Sequence, residues 1–276
     1  MRLLRFGSAA AFEAAAGSWM AADERTNNLI LSRLHAVRFN DEVRSWLVMD
    51  GDAPQLALLE TPLHLVLSGG SVQAAEYLAK DLEIDVMQFV GPAQVADACA
   101  EHLTHKTGRA GLLSMDMTFY TLDCVEPFSS PAGCIRTATR AELDELAPLA
   151  LAAEREIHVA QEQPDAEAIQ STLRQAIDDG QQSVWLEGSA IRAIASYVSP
   201  FKHAGARIRG VYTLPEFRGR GYGTAITGAL AERLLKGGQG WVALFADNAN
   251  PTSTGIYRRL GFQAHSTFRT WRFALQ

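Results

Sequence analysis

Between Cys134 and Gln276 the spacing of apolar residues changes repeatedly, and each change marks a new element. CIRTAT (134–139) reads as a short strand, and AELDELAPLALAAERE (141–156) as a helix with Thr139 or Arg140 near its cap. DAEAIQSTLRQAIDDG (165–180) is a second helix stopped by Gly180. Three strand-like runs follow, SVWLEG, AIRAIASYVS and ARIRGVYTL, the first two joined by the hairpin pair Gly188-Ser189, so the segment predicts an antiparallel meander. Ile226, Leu230, Leu234 and Leu235 then set a helix behind a glycine-rich start. WVALFAD (241–247) is a buried strand, PTSTGIYRRL (251–260) a helix opened by Pro251, and FQAHSTFRTWRFAL a final strand pair broken near Ser266.

The first half repeats nearly the same grammar. Helices over 8–21 and 24–38 precede strands at 44–50, 55–60 and 63–69; a helix at 71–81, the strand IDVMQFV, the helix PAQVADACAEHLTHK and a strand over 112–122 complete it. The repeated order predicts an internal duplication: one lobe at 1–122, a linker at 123–133 with two prolines, two serines and a glycine, and a second lobe at 134–276. The opening MRLLRFGSAAAFEAAAGSWMAADE imitates a short signal peptide, but Glu13 breaks its apolar run and favours an amphipathic helix.

Bulk properties narrow the functional classes. The 276 residues are 47% hydrophobic and 20% charged, a soluble globular composition, and no window holds the roughly 18–20 apolar residues of a membrane span. Three cysteines, Cys99, Cys124 and Cys134, show neither CxxC nor Cys/His metal spacing, which predicts no disulfide framework and no metal, and a reducing cytoplasm. The net charge of −6 divides unevenly: residues 1–133 hold 9 basic and 17 acidic groups, residues 134–276 hold 16 and 14. The second half therefore suits an anionic ligand better, without the basic footprint of a nucleic-acid binder.

The segment Val211-Tyr212-Thr213-Leu214-Pro215-Glu216-Phe217-Arg218-Gly219-Arg220-Gly221-Tyr222-Gly223-Thr224 places glycines between a strand end and a helix start. Glycines let the backbone approach a ligand closely, and the unpaired N–H groups of a first helical turn attract phosphate oxygens. The spacing fits neither a phosphate-binding loop ending in Gly-Lys-Ser/Thr nor a Rossmann fingerprint, because the preceding strands form an antiparallel meander. Arg218-Gly219-Arg220-Gly221-Tyr222-Gly223 resembles the Arg/Gln-x-x-Gly-x-Gly/Ala signature of the GCN5-related N-acetyltransferase (GNAT) superfamily. The resemblance implies the GNAT fold, an α/β (α+β) arrangement with a mixed, mostly antiparallel sheet flanked by helices, here as two tandem lobes. It also implies that Arg218, Gly219, Arg220, Gly221, Tyr222, Gly223 and Thr224 bind the pyrophosphate of acetyl-coenzyme A, and that Val211 and Thr213 line its pantetheine arm. Glu216 and Phe217 read as scaffold.

Downstream, the block from Leu244 to Phe262 looks like the superfamily's Asn-x-x-(Ala/Ser)-x-x-x-Tyr-x-x-x-Gly-Phe skeleton, which closes on Tyr257, Gly261 and Phe262. By resemblance Asn248 contacts the cofactor, although a turn-forming role before Asn250-Pro251 is equally open. Tyr257 would face the departing thiolate as general acid, since attack of an amine on a thioester expels coenzyme A as a thiolate that a phenol can protonate or hydrogen-bond. The block is similar to the FR47-like and glycine N-acyltransferase-like branch. In the first half, the equivalent loop Ser68-Gly69-Gly70-Ser71 has no arginine, and its later helix offers His102 and His105 but no tyrosine, which predicts a lobe without a cofactor site.

The resulting expectation is an N-acetyltransferase that moves acetyl from acetyl-coenzyme A to a primary amine by direct attack in a ternary complex. Its acceptor is a small-molecule amine or amino acid, with a protein amine also open; the acidic first half leans toward a cationic acceptor. No base is identified: Glu154, Glu156, His158 and His203 are candidates. The alternative is a non-catalytic acyl-coenzyme A-binding regulatory module, which has no use for a proton donor at Tyr257.

Overall fold

The computed structural model describes residues 1–37, 43–61, 64–82, 88–157, 165–199 and 205–273. In the first half the order is β1 (Arg2–Phe6), α1 (Ala9–Ala22), α2 (Glu24–Val37), β2 (Ser45–Asp50), β3 (Ala53–Glu60), β4 (Leu65–Leu67), α3 (Val72–Asp81), β5 (Gln88–Pro92), α4 (Ala93–Thr107) and β6 (Gly111–Leu122). The second half repeats it: β7 (Cys134–Thr137), α5 (Leu143–Ile157), α6 (Ala166–Asp178), β8 (Gln182–Glu187), β9 (Ala190–Val198), β10 (Gly205–Thr213), α7 (Tyr222–Lys236), β11 (Trp241–Asp247), α8 (Pro251–Arg259) and β12 (Gln263–Phe273).

Local chemistry sets the ends of these elements. Ser8 caps α1 by accepting from the Ala11 N–H, and Phe12, Ala16 and Met20 then fall on one buried stripe. Asn250 caps α8 by accepting from the Ser253 N–H, with Pro251 in the first helical position. Gly188, at φ 62°, turns β8 into β9. The last strand-like run is one strand rather than a broken pair: β12 keeps its pairing to β6 through a register shift between Ala264 and Ser266, so the irregularity is a bulge and not a turn.

The described strands form one sheet in the order β1-β2-β3-β4-β5-β12-β6-β11-β10-β9-β8-β7. Its centre is an exchange. The last strand of the chain, β12, pairs with β5 of the first half, and β6 pairs with β11 of the second. The two exchanged strands also pair with each other from Gln263–Thr121 to Phe273–Gly111. All the pairs are antiparallel except β4–β5 and β10–β11.

Strand parity divides the core into two layers. On β11, Trp241 and Ala243 join the cluster under α1 and α2, while Val242, Leu244 and Ala246 join the one under α7 and α8. Clusters under α3 and α4, and under α5 and α6, complete the two faces. The connection after β6 lies along the second half: Val125 and Phe128 pack on its core, and the Glu126 N–H donates to the Leu260 carbonyl at 3.0 Å.

Candidate functional site

The parallel pair β10–β11 is hydrogen-bonded at Gly205–Trp241, Ala206–Val242 and Arg207–Ala243. Beyond that point β11 stays with β6 as far as Asp247–Met117, whereas β10 stays with β9 as far as Thr213–Ala193. The strands therefore part, and the β11-facing edge of β10 is left without a strand partner among the described residues. Backbone N–H and C=O groups on such an edge need hydrogen-bond partners, which an extended ligand supplies.

A bulge sits where the strands part. β10 carries one extra residue between Arg209 and Tyr212, opposite Ser196 and Ile194 of β9, and Gly210 adopts φ 60° there. The extra residue reverses the parity of the strand: Ile208 and Val211 both pack toward α7, while Tyr212 turns to the α5–α6 face. Gly210 was the available signal, since a glycine inside a strand run marks a bulge, and the sequence reading passed over it.

The glycine loop lies at the open end of the gap. Gly219 and Gly221 have φ of 75° and 87°, so an L side chain at either position is strained. A Cβ on Gly219 would meet nothing within 4 Å. Gly221 is the N-cap of α7 and makes no side-chain cap; its carbonyl accepts from the Ala225 N–H at 2.9 Å. The N–H groups of Tyr222, Gly223 and Thr224 precede that first helical bond, so they face outward with the positive end of the helix dipole behind them. A Cβ on Gly223 would lie 3.4 Å from Thr213 Oγ1 and 3.5 Å from Ile256 Cδ1, which brings the strand end, the loop and α8 to one place.

The loop's side chains brace it. Arg218 donates to the Thr213 carbonyl at 3.1 Å, pairs with Glu156 at 2.6 Å and lies 5.4 Å from the Tyr212 ring centre. The guanidiniums of Arg192 and Arg220 lie 3.9 Å and 5.4 Å from the centre of the Phe217 ring. The buried Tyr222 hydrogen-bonds through its hydroxyl to Glu187, whose carboxyl is held below its ordinary value by that bond and by Arg192. Arg220 and the backbone are thus the outward parts of the loop, with Arg218 and Tyr222 holding its shape.

Tyr257, 8% exposed, lies in the core under α7 and α8 with its ring against Tyr120 and Phe262. Burial pushes its hydroxyl up to about 12, and a hydrogen bond with Ser253 acts in the opposite sense. The phenol therefore stays protonated throughout the neutral range. Asn248 is occupied elsewhere: its amide nitrogen donates to Asp116 at 3.0 Å and its oxygen accepts from Thr118 at 2.7 Å. This residue fastens the end of β11 to the exchanged strand β6, and Asp116 continues the link to Arg269 of β12. Among the candidate bases, Glu156 is bound to Arg218, Glu154 acts electrostatically on Arg33 and Arg209, and His158 and His203 lie outside the described residues. Among the described residues no group of three or more His, Cys, Asp and Glu side chains is arranged to hold a metal ion, and no helix is long and apolar enough to cross a membrane.

Residues 189–272 match the family described as FR47-like protein. Over 66 residues the chain is 35% identical to an uncharacterized N-acetyltransferase of Methanocaldococcus jannaschii, covering 24% of this chain and 29% of that relative. Among solved structures, the chain is similar to a GNAT-family acetyltransferase from Colwellia psychrerythraea (TM-score 0.64, 9% identity, all of both chains). It is also similar to a GCN5-related N-acetyltransferase from Sphaerobacter thermophilus (TM-score 0.63, 16% identity, 98% of this chain and 95% of that one). A tandem GNAT protein from the clavulanic acid biosynthesis pathway gives a TM-score of 0.57 at 16% identity, covering 98% of each chain. The fold is that of the GNAT proteins, over the whole length of the chain.

Proposed function

We propose that this chain is an N-acetyltransferase of the GNAT type that transfers the acetyl group of acetyl-coenzyme A to a primary amine within a ternary complex. The observation that carries the reading is the meeting of three features in one place: the parted strands β10 and β11, the uncapped amino end of α7 behind Gly219 and Gly221, and α8, which carries Tyr257 and whose Ile256 lies beside Gly223. The FR47-like match over residues 189–272 covers all three and supports the same reading.

In this reading the N–H groups of Tyr222, Gly223 and Thr224 hold the pyrophosphate, with Arg220 adding charge and Arg218 bracing the turn. Val211 and Thr213 lie along the pantetheine arm. The amine nitrogen attacks the thioester carbonyl carbon, the new C–N bond forms, the C–S bond breaks and the sulfur leaves with the electron pair. The amine's proton passes to solvent. A phenol held near 12 keeps its proton more tightly than an ordinary thiol near 8.5, so Tyr257 stabilises the leaving sulfur chiefly by hydrogen-bond donation. Asn248 contributes by fixing the strand end and not by direct contact.

The first half serves as a supporting lobe with no cofactor site, the product of a duplication in the gene. A reducing cytoplasm suits three free cysteines, of which Cys99 is buried. The test is titration of acetyl-coenzyme A, coenzyme A and NADH, followed by free-thiol release with a panel of amines. Binding of both coenzyme A species but not NADH, with thiol release dependent on an amine, is the expected result. Binding without release for every amine would replace the enzyme with a binding module, and no binding would remove the cofactor assignment.

A further inference from the structure

The sequence Ala206-Arg207-Ile208-Arg209 alternates small or apolar with basic residues. Ala206 and Ile208 face the core under α7, so Arg207 and Arg209 project together from the opposite face of the sheet. There α2 of the first half crosses over them. Arg207, 7% exposed, donates to Asn28 Oδ1 at 3.2 Å and to Ser32 Oγ at 3.1 Å, and its guanidinium lies 5.5 Å from the centre of the Phe245 ring. Arg33 follows Ser32 on the same helix, and Glu154 of α5 faces both Arg33 and Arg209.

The cluster is short of acceptors. Burial lowers the pKa of all three arginines, and mutual repulsion lowers it further at Arg207 and Arg209, whereas Glu154 raises Arg33 and Arg209. Among the described residues three guanidiniums thus share one carboxylate. The side-chain nitrogens Arg33 Nε, Arg209 Nε and Asn28 Nδ2 are buried and have no hydrogen-bond partner. All three are donors. Buried donors without partners are costly, and guanidinium groups match carboxylate and phosphate oxygens in charge and geometry.

The position of the cluster gives it a role. Arg207 is the last residue of β10 paired with β11, and Arg209 is the next residue on the same face, just before the Gly210 bulge. Along β10 the order is the arginines, the bulge, Val211 and Thr213, and then the glycine loop. The arginines therefore lie at the closed end of the gap, away from the loop assigned to pyrophosphate, on the face covered by α2 and α5.

We infer that the acceptor amine carries an acidic group, a carboxylate or a phosphate, which Arg33 and Arg209 bind while Arg207 positions them. The inference rests on the acetyltransferase reading above. It reverses the leaning toward a cationic acceptor that the acidic first half suggests: the charges of that half are spread over its surface, whereas α2 brings Arg33 to the site.

The test uses the full-length protein and matched acceptors: free amino acids, their carboxamides, the corresponding decarboxylated amines, and aminoalkyl phosphates. Acetyl-coenzyme A binding is measured first. With binding intact, kcat/KM should be higher by about 10²-fold for amines bearing an acid than for their neutral counterparts, the scale of one or two charge-assisted hydrogen bonds. Carboxylate and phosphate arms separate the two acids. Arg209→Gln and Arg33→Gln should each reduce that ratio by about tenfold or more, raising the acceptor KM and leaving the KM of acetyl-coenzyme A unchanged. Equal or better turnover of the carboxamides and decarboxylated amines by the wild-type protein would overturn the inference and leave the acetyltransferase reading standing. So would transfer to neutral or decarboxylated amines with none to any acid-bearing amine. Failure to bind acetyl-coenzyme A would instead overturn the reading beneath it.

Discussion

The helices α3 and α7 hold the same place in the two halves, each following a strand that has just parted from a parallel neighbour, yet their amino ends differ. At α3 the Ser71 side chain accepts from the Ala74 N–H, and Asn27 of α2 accepts from the Gly69 N–H at 2.8 Å. A Cβ on Gly70 would lie 2.3 Å from the Gln55 carbonyl oxygen, so that glycine answers to packing. At α7 the cap is Gly221, which has no side chain to offer, and Gly219 and Gly221 face open space or the edge of Pro131. A glycine pair next to a helix is therefore uninformative until one asks where the adjacent N–H groups go. The first half consumes them internally, and the second presents them outward.

That contrast breaks most sharply at Gly221. Replacing it with Val puts a branched side chain at φ 87° and should weaken acetyl-coenzyme A binding by about 10²–10³-fold, the loss of one or two charge-assisted hydrogen bonds, as read by calorimetric titration. Wild-type affinity in the variant would show that the two loops are alike after all. Gly70→Ala should have the complementary effect: about 2–4 kcal/mol of stability lost in denaturant titration, with unchanged affinity per folded molecule. Tyr257→Phe should lower kcat by about 10²-fold without changing cofactor affinity, and an unchanged kcat would make this tyrosine a core residue like its neighbour Tyr120. Ser71→Ala should cost about 1 kcal/mol of stability and create no binding, since the Asn27 bond and the Gln55 contact still close the loop. The smallest effect is an expected flatness. Because the neutral phenol is the useful form and its pKa is raised to about 12, kcat should not fall through Tyr257 ionisation near pH 10; a drop centred there, absent in Tyr257→Phe, would mean that the hydroxyl is solvated.

Much of this was legible because it is local. The loop at Arg218–Thr224, the meander before it and the caps of α7 and α8 are each written within a few residues, and the motif at Tyr257 lies one helix further on. The pairing of β6 with β11 and of β12 with β5 was not legible, because alternation within a strand says which face is buried and nothing about which edge meets which. The burial of the β10 arginines was not legible for a related reason: alternate basic residues in a strand suit a solvated face, and only the arrival of α2 from the other half buries them. Asn248 kept its alternatives open for good cause, since its partners Asp116 and Thr118 are more than a hundred positions away in the chain.

The strand exchange also sets an order of events during synthesis. β5 is complete when residue 92 has been added, but the partner for its outer edge spans residues 263–273 and is made after every other described strand of the sheet. At roughly 5–20 residues per second, about 170 further residues keep that edge waiting for roughly ten to thirty seconds. Until then the first half exposes a row of unsatisfied N–H and C=O groups flanked by apolar surface, the kind of edge that captures other chains. The nascent polypeptide is thus most vulnerable to aggregation in its middle stages, and its two halves reach their final form together.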